Sequence, residues 1–394
     1  MPVVSARARS LVFPPFDILN QKAIALRQAG HRVLSLGQAV PGFPPPPAAL
    51  EAASLALTDP DVHRYSADAG LLSLREAICD RFREHLHVEA TPDDVIVTAG
   101  GNQAFMLTAL TLLDPGDDVV LAAPYFVNHE MAIRAAGGVP IEAPAEESSG
   151  FRPRWSDIES QLTPRTRAVI LCSPSNPTGA VIERDELERT VYELSRRGIT
   201  LISDETYLHF VFEGTHNSAA SIHAWKENVV VVGTFSKSFA MTGWRVGYVM
   251  ANPRVCEQAI KIQDAMIICA PVISQKAVEA AIRDDWNYIT RFHGELRHRR
   301  TVLRDGIARI PALHWEPAAG GFFAFVRIPD GQDSEQLAAA ILDRAHVVTI
   351  PGASFGRCGE RFLRLSYGAA AVDELVEACS RLSEFFGDLS RGQR

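Results

Sequence analysis

The sequence predicts an α/β protein: a mainly parallel sheet in a large domain, with a second, smaller α+β domain. Three observations carry that expectation. From about residue 95, short β-branched runs alternate with amphipathic stretches of helical period. The runs are apolar on both faces, as strands covered by helices on both sides must be. The 394 residues also exceed what one ordinary core accommodates, so two lobes are expected.

Taken in order, "VIV" at 95–97 precedes a helical pattern from Gln103 to Leu113, and "DVVLA" at 118–122 precedes another around 128–136. "RAVILC" (167–172) leads through a Pro/Gly loop to the charged helix "ERDELERTVYELSRRG" (183–198). The strands "ITLISDE" (199–205) and "NVVVVGTFSK" (228–237) follow. After Pro253 the pattern is helical for some fifty residues, then returns to strands in "GGFFAFVRI", "HVVTI" and "RFLRLSY" before a final helix from about 371 to 387. The stiff connector "PGFPPPP" (41–47) marks where the N-terminal segment enters the large domain. The expected division is a large domain over 45–285 and a small domain built from 1–44 together with 286–394.

Composition excludes several classes. Hydrophobic residues make up 47% and charged residues 22%, ordinary for a globular protein, and the net charge of −8 argues against a nucleic-acid surface. No segment reaches the roughly 18–20 uninterrupted apolar residues a membrane span needs, and "MPVVSARARSLVFPPF" lacks the apolar run of a secretory signal. The six cysteines form no C-x-x-C pair and read as thiols of a reduced compartment. Nor do the histidines show metal-ligand spacing, so no metal is expected. A cytoplasmic location follows, with neither nucleic acid nor membrane as partner.

Ligands of a parallel sheet collect at the carboxyl ends of its strands, and four clusters lie there. In "TAGGNQA" (98–104), Gly100 and Gly101 open a helix whose free N–H groups suit a phosphate, although such a pair is also a common turn. "SPSNPTG" (173–179) presents the Asn176 amide on a rigid loop, by itself an ordinary structural turn. "SDETY" (203–207) ends an apolar strand in Asp204, either a cap or a buried carboxylate facing a cation, with Tyr207 three residues on. In "TFSKSFAMTGWRVGY" (234–248), Lys237 stands between hydroxyls and Arg245 follows eight positions later. A phosphate nest, a carboxylate, a phenol, an amide and a lysine nucleophile together match pyridoxal phosphate. The lysine bonds the aldehyde, and the carboxylate keeps the ring nitrogen protonated so that the ring accepts electrons.

With "SKSFAMTGWRVG", "NPTG" and "SDETY" in one chain, the sequence resembles the fold-type I, class I/II aminotransferases, on the branch of bacterial aspartate-like and kynurenine-type enzymes. The resemblance runs from "LSLGQAVPGFPPP" (34–46) to "RFLRLSYG" (361–368). It implies a seven-stranded-type sheet, pyridoxal 5'-phosphate as cofactor, and transfer of an amino group between an L-amino acid and a 2-oxo acid. It further implies that Lys237 binds the cofactor and shuttles the proton, that Asp204 pairs with the ring nitrogen, and that Asn176 and Tyr207 hold the ring oxygen. Gly100, Gly101 and Asn102 with Thr234, Ser236 and Arg245 would hold the phosphate. Phe126 would stack on the ring, and His129 would support Asp204. Tyr65 would reach the phosphate of a neighbouring subunit, which implies a homodimer with shared sites. Arg364 would grip the substrate α-carboxylate.

Two positions depart from the family pattern. Ala39 replaces the usual glycine, with its backbone amide still facing substrate, and Gly42 replaces an aspartate. Asn102 stands where some relatives acting on acidic substrates carry lysine. Without that cation a second carboxylate is costly to bury, so neutral or aromatic donors are expected, under an apolar lid from "FPPF" (13–16) and Ile18. Asp264 is expected on a solvated helix face. Rival outcomes are other reactions of the same cofactor, namely a C–S lyase, a ring-forming elimination or an oxidase. A cofactor-sensing regulator would need a basic DNA-binding module that the roughly 40 residues ahead of the match do not supply.

Overall fold

The computed structural model describes residues 3–13, 15–284 and 287–392. Pro14 of the expected lid and the expected domain boundary at 285 and 286 lie outside them. The helices Ala6–Arg9 and Pro15–Gln28 come first, followed by the short strand β1 (Leu34–Ser35). Seven strands then form the large sheet: β2 (Val95–Thr98), β3 (Asp118–Ala123), β4 (Val139–Pro144), β5 (Thr166–Cys172), β6 (Thr200–Asp204), β7 (Val229–Thr234) and β8 (Gly247–Met250). Their order is β2-β8-β7-β6-β5-β3-β4. Neighbours from β7 to β4 pair in parallel, and β8 alone runs against both of its neighbours.

Strand periodicity sorts the residues between two cores. Val230 and Val232 face one core with Ile170, Ile202 and the helix Gly101–Leu112. Val229 and Val231 face the other with Val169, Leu201 and the helices Leu72–Leu86 and Arg184–Ser195. This two-sided burial is why the run Val229–Val232 is apolar at every position. Two strands escaped the pattern. β4, "VPIEAP", carries two prolines and pairs only with β3, on the edge where missing N–H donors are tolerated. β8, "GYVM", is four residues long and continues directly from the Lys237 stretch.

A third core gathers Leu19, Ala23, Leu34 and Leu36 with residues of the C-terminal part. Three helices follow one another over Pro253–Met266, Val272–Arg283 and Asn287–Ile307. The strands β9 (Phe323–Arg327), β10 (Val347–Val348), β11 (Ile350–Pro351) and β12 (Phe362–Ser366) come next, and β1 pairs in parallel with β10. The final helix, Val372–Gly392, buries Leu375, Ala378, Cys379, Leu382, Phe385 and Phe386 at helical spacing. Each buried leucine there contributes about 1.5–3 kcal/mol. The connector presses against this core. A Cβ at Gly42 would lie 2.6 Å from the Ala369 carbonyl oxygen, and the Gly42 N–H donates to Gly368 O at 2.9 Å. Glycine at 42 is therefore a packing requirement. Among the described residues, no helix is long and apolar enough to cross a membrane.

Candidate active site

Six of the seven large-sheet strands share a direction, so their carboxyl ends meet on one edge. After β2 come Gly101 and Asn102; after β3, Phe126; after β5, Asn176. β6 ends in Asp204 and leads to Tyr207, while β7 leads to Lys237. All of these line one cavity of about 400 Å³, together with Ala39, Thr234, Ser236, Arg245 and Arg364. Of the expected site residues, Gly100 and Tyr65 do not line it. Gly100 lies beneath it at φ +85°, and a Cβ there would sit 2.4 Å from Arg245 Nη2. Its role is to leave room for the arginine. Tyr65 is 77% exposed.

The phosphate-like end is built from backbone and hydroxyl groups. Gly101 begins a twelve-residue helix, whose first N–H groups have no intrahelical acceptor. Thr234 caps the next short turn: its Oγ1 accepts from Ser236 N at 3.1 Å and donates to Val246 O at 2.9 Å. Arg245 anchors beside them, Nη1 donating to Thr242 O at 2.8 Å.

Asp204 is buried. His129 Nε2 meets its Oδ2 at 2.8 Å, and the Thr206 N–H donates to its Oδ1 at 3.0 Å. Burial alone would raise its pKa, but the His129 hydrogen bond, the His129 charge and the Thr206 donors hold it below the usual carboxylate range. The His129 ring is fixed in turn, stacked on Phe105 at 4.3 Å and edge-on to Phe126 at 5.6 Å.

Lys237 and Arg364 share the remaining charge. Burial, then the Arg364 and Arg245 cations, pulls the Lys237 ammonium down to about 8, and its Nζ donates to Ala39 O at 2.7 Å. Ala39 thus meets Lys237 through its carbonyl. Arg364 is 5% exposed and sits between the rings of Phe323 and Phe355, 5.2 and 5.1 Å from their centres. Its Nη1 donates to Asn176 Oδ1 at 2.9 Å, its Nη2 to the Gly37 carbonyl, and its Nε has no partner. Tyr207 packs edge-on against Phe322 and Phe323, and burial raises its phenol pKa.

The wall contributed by the N-terminal helix Pro15–Gln28 differs from expectation. Phe16 lines the cavity, but Phe13 and Ile18 are 79% and 68% exposed and do not. At about 100° per residue, Phe16, Asp17 and Asn20 fall within one arc while Ile18 points away. Asp17 and Asn20 accordingly line the cavity. Their i, i+3 spacing was the signal that could have found them. Thr206, between two motif residues, and Asn128, beside His129, were also missed. Asp264 is exposed on the helix Pro253–Met266, as expected.

Residues 31–382 match the family described as aminotransferase class I and II. The chain is 34% identical to aromatic-amino-acid aminotransferase 2 of Thermococcus litoralis, over 92% of this chain and 94% of that protein. It is 35% identical to an aspartate aminotransferase of Pyrococcus abyssi, over 89% and 91% of the two chains. The solved aspartate aminotransferase of Thermus thermophilus with maleate superposes with a TM-score of 0.93 at 31% identity, covering 98% of this chain and all of that one. The chain belongs to the class I and II aminotransferases, pyridoxal-phosphate-dependent enzymes of fold type I, and is similar to members named for aspartate and for aromatic amino acids.

Proposed function

We propose that the cavity binds pyridoxal 5'-phosphate and that this aminotransferase prefers neutral or aromatic L-amino acids as donors, passing the amino group to a 2-oxo acid. One observation carries the reading. Arg364 is a buried guanidinium with an unpartnered Nε and, among the described residues, no ion pair to a carboxylate. A charge so placed calls for an anionic ligand.

The residues also fit the cofactor. A helix N-terminus, two hydroxyls and Arg245 converge at one end, a glycine makes room for that arginine, and an ionised carboxylate faces the same space. When bound, pyridoxal phosphate supplies the aldehyde that takes up the amino group and the ring that receives electrons from the substrate's α-carbon. Gly101 and Asn102 N–H groups, Thr234, Ser236 and Arg245 hold the phosphate. Asp204 holds a proton on the ring nitrogen, and Asn176 and Tyr207 donate to the ring oxygen. Phe126 covers the ring. Arg364 clamps the α-carboxylate and so orients the α-hydrogen toward Lys237 Nζ, which removes that proton and returns it.

Residues 45–285 form the large domain in this reading, and 1–44 with 286–394 the small one; the core joining Leu19 and Leu36 to the C-terminal helices supports that division. The exposed Tyr65 completes the phosphate site of a partner subunit. Two measurements test the whole. Amino donors should convert the yellow protein in single half-reactions, with phenylalanine, methionine or glutamine ahead of aspartate. Mixing inactive Lys237→Ala and Tyr65→Ala proteins should restore some activity; a fully active monomer in sedimentation overturns the shared site.

A further inference from the structure

Among the described residues, the proposed catalytic cluster accounts for every charged group lining the cavity except one. Lys237, Arg245 and Arg364 stand at the strand-end side, and Asp204 is engaged by His129 and Thr206. Asp17 is the exception. It lines the same cavity from the first turn of the N-terminal helix, is half-buried, and makes no hydrogen bond or ion pair among the described residues. A carboxylate in a first helical turn is partly explained by the helix dipole, which stabilises it as the anion. That does not explain why it faces a binding cavity, with the Asn20 amide one turn further along the same face.

We propose that Asp17 is a specificity residue that receives the far end of the substrate side chain and extends the neutral and aromatic donor range to side chains that end in hydrogen-bond donors, a cationic guanidinium among them. The proposal rests on Arg364 and Lys237 fixing the substrate's other end, as set out above. β11 places Ile350 opposite Arg364 in register, and the N-terminal helix packs on β11. A substrate held at Arg364 therefore lies beside the wall that carries Asp17 and Asn20. Among the described residues, no cation lines that wall, so an acidic side chain would meet a like charge there. A neutral donor such as an amide or a phenol would be accepted, and a guanidinium would gain a paired, partly desolvated contact.

The test separates binding from turnover. The holoenzyme is titrated calorimetrically with 5-guanidinopentanoate and with its neutral counterpart 5-ureidopentanoate, which carry the carboxylate and the side chain but no amine. The guanidino acid should bind about tenfold more tightly, a gap typical of one charged pair at 1.4 kcal/mol. In Asp17→Asn the ratio should fall to near one, and in Asp17→Glu most of it should return. Half-reaction rates with arginine and citrulline should move in the same way, while those with phenylalanine change little. A ratio near one in the wild type, or one unmoved by Asp17→Asn, overturns the proposal. Failure of every donor to convert the cofactor would instead overturn the reading of the site on which it rests.

Discussion

The two sides of the cavity are built by different means. On the strand-end side each functional group is placed by a buried strand and tied by further contacts: Asp204 by His129 and Thr206, Arg364 by Asn176, Gly37 and two aromatic rings. On the other side one helix contributes Phe16, Asp17 and Asn20, and its neighbouring residues Phe13 and Ile18 are exposed. The contrast separates two tasks. The tied side is suited to chemistry common to all substrates, where a misplacement near 1 Å is expensive. The sparse side meets the part of the substrate that varies. Variants on the first side should therefore depress all donors together, and variants on the second should reorder them.

The largest effect is expected for Lys237→Ala. Loss of both the cofactor bond and the proton carrier should lower turnover by roughly 10³-fold or more for every donor. The yellow colour should disappear, and borohydride labelling of any other lysine in wild-type protein would sink the assignment. Arg364→Lys should come next. It would replace the proposed bidentate clamp by a point charge, at about 2–5 kcal/mol in kcat/KM, spread evenly over donors. An effect confined to one class of donor would move Arg364 to the specificity side.

A pH measurement sharpens the same contrast. Only the neutral amine attacks an aldehyde, and burial with two neighbouring arginines lowers the Lys237 pKa to about 8. Capture of pyridoxal phosphate by the apoprotein should thus accelerate as pH rises and level off above about 8, whereas an ordinary lysine would keep gaining to about 10.4. A profile still climbing at pH 10 would mean that the arginines do not act on Lys237. The smallest expected change is Phe16→Ala. Phe16 is half-buried against a small aromatic cluster with Phe325, Phe355 and Phe362. Its removal should cost large apolar donors about 1–2 kcal/mol and short donors almost nothing, as read from kcat/KM across a series of chain lengths.

How much of this was legible follows the same division. Strand-end positions announce themselves, because a run such as Val229–Val232 must be buried on both faces and polar residues at its end then need a reason. Lys237, Asp204, Asn176 and Arg245 were found that way, and all line one cavity. β4 was hidden by its prolines, which only an edge position permits. The wall was misread because the N-terminal segment was taken for its composition, rich in proline and phenylalanine, and not for its helical phase. A shift of one residue along a helix turns a side chain by about 100°. Ile18 and Asp17 exchange roles on that difference alone. Tyr65 belongs to a third kind: whatever its hydroxyl meets, a single chain carries no signal of it beyond an exposed aromatic.

The Phe323 ring, described above as a neighbour, touches both Tyr207, 5.1 Å between centroids, and the Arg364 guanidinium. It belongs to the third core, far in sequence from β6 and the strand-end loops. A single side chain therefore packs against both a phenol and a cation, alongside Phe322 on the first and Phe355 on the second. Substitutions at Tyr207 and Arg364 should for that reason interact through Phe323, their combined effect departing from the sum of the single ones. The aromatic packing of the third core thus works as a common shim under two side chains that line the cavity.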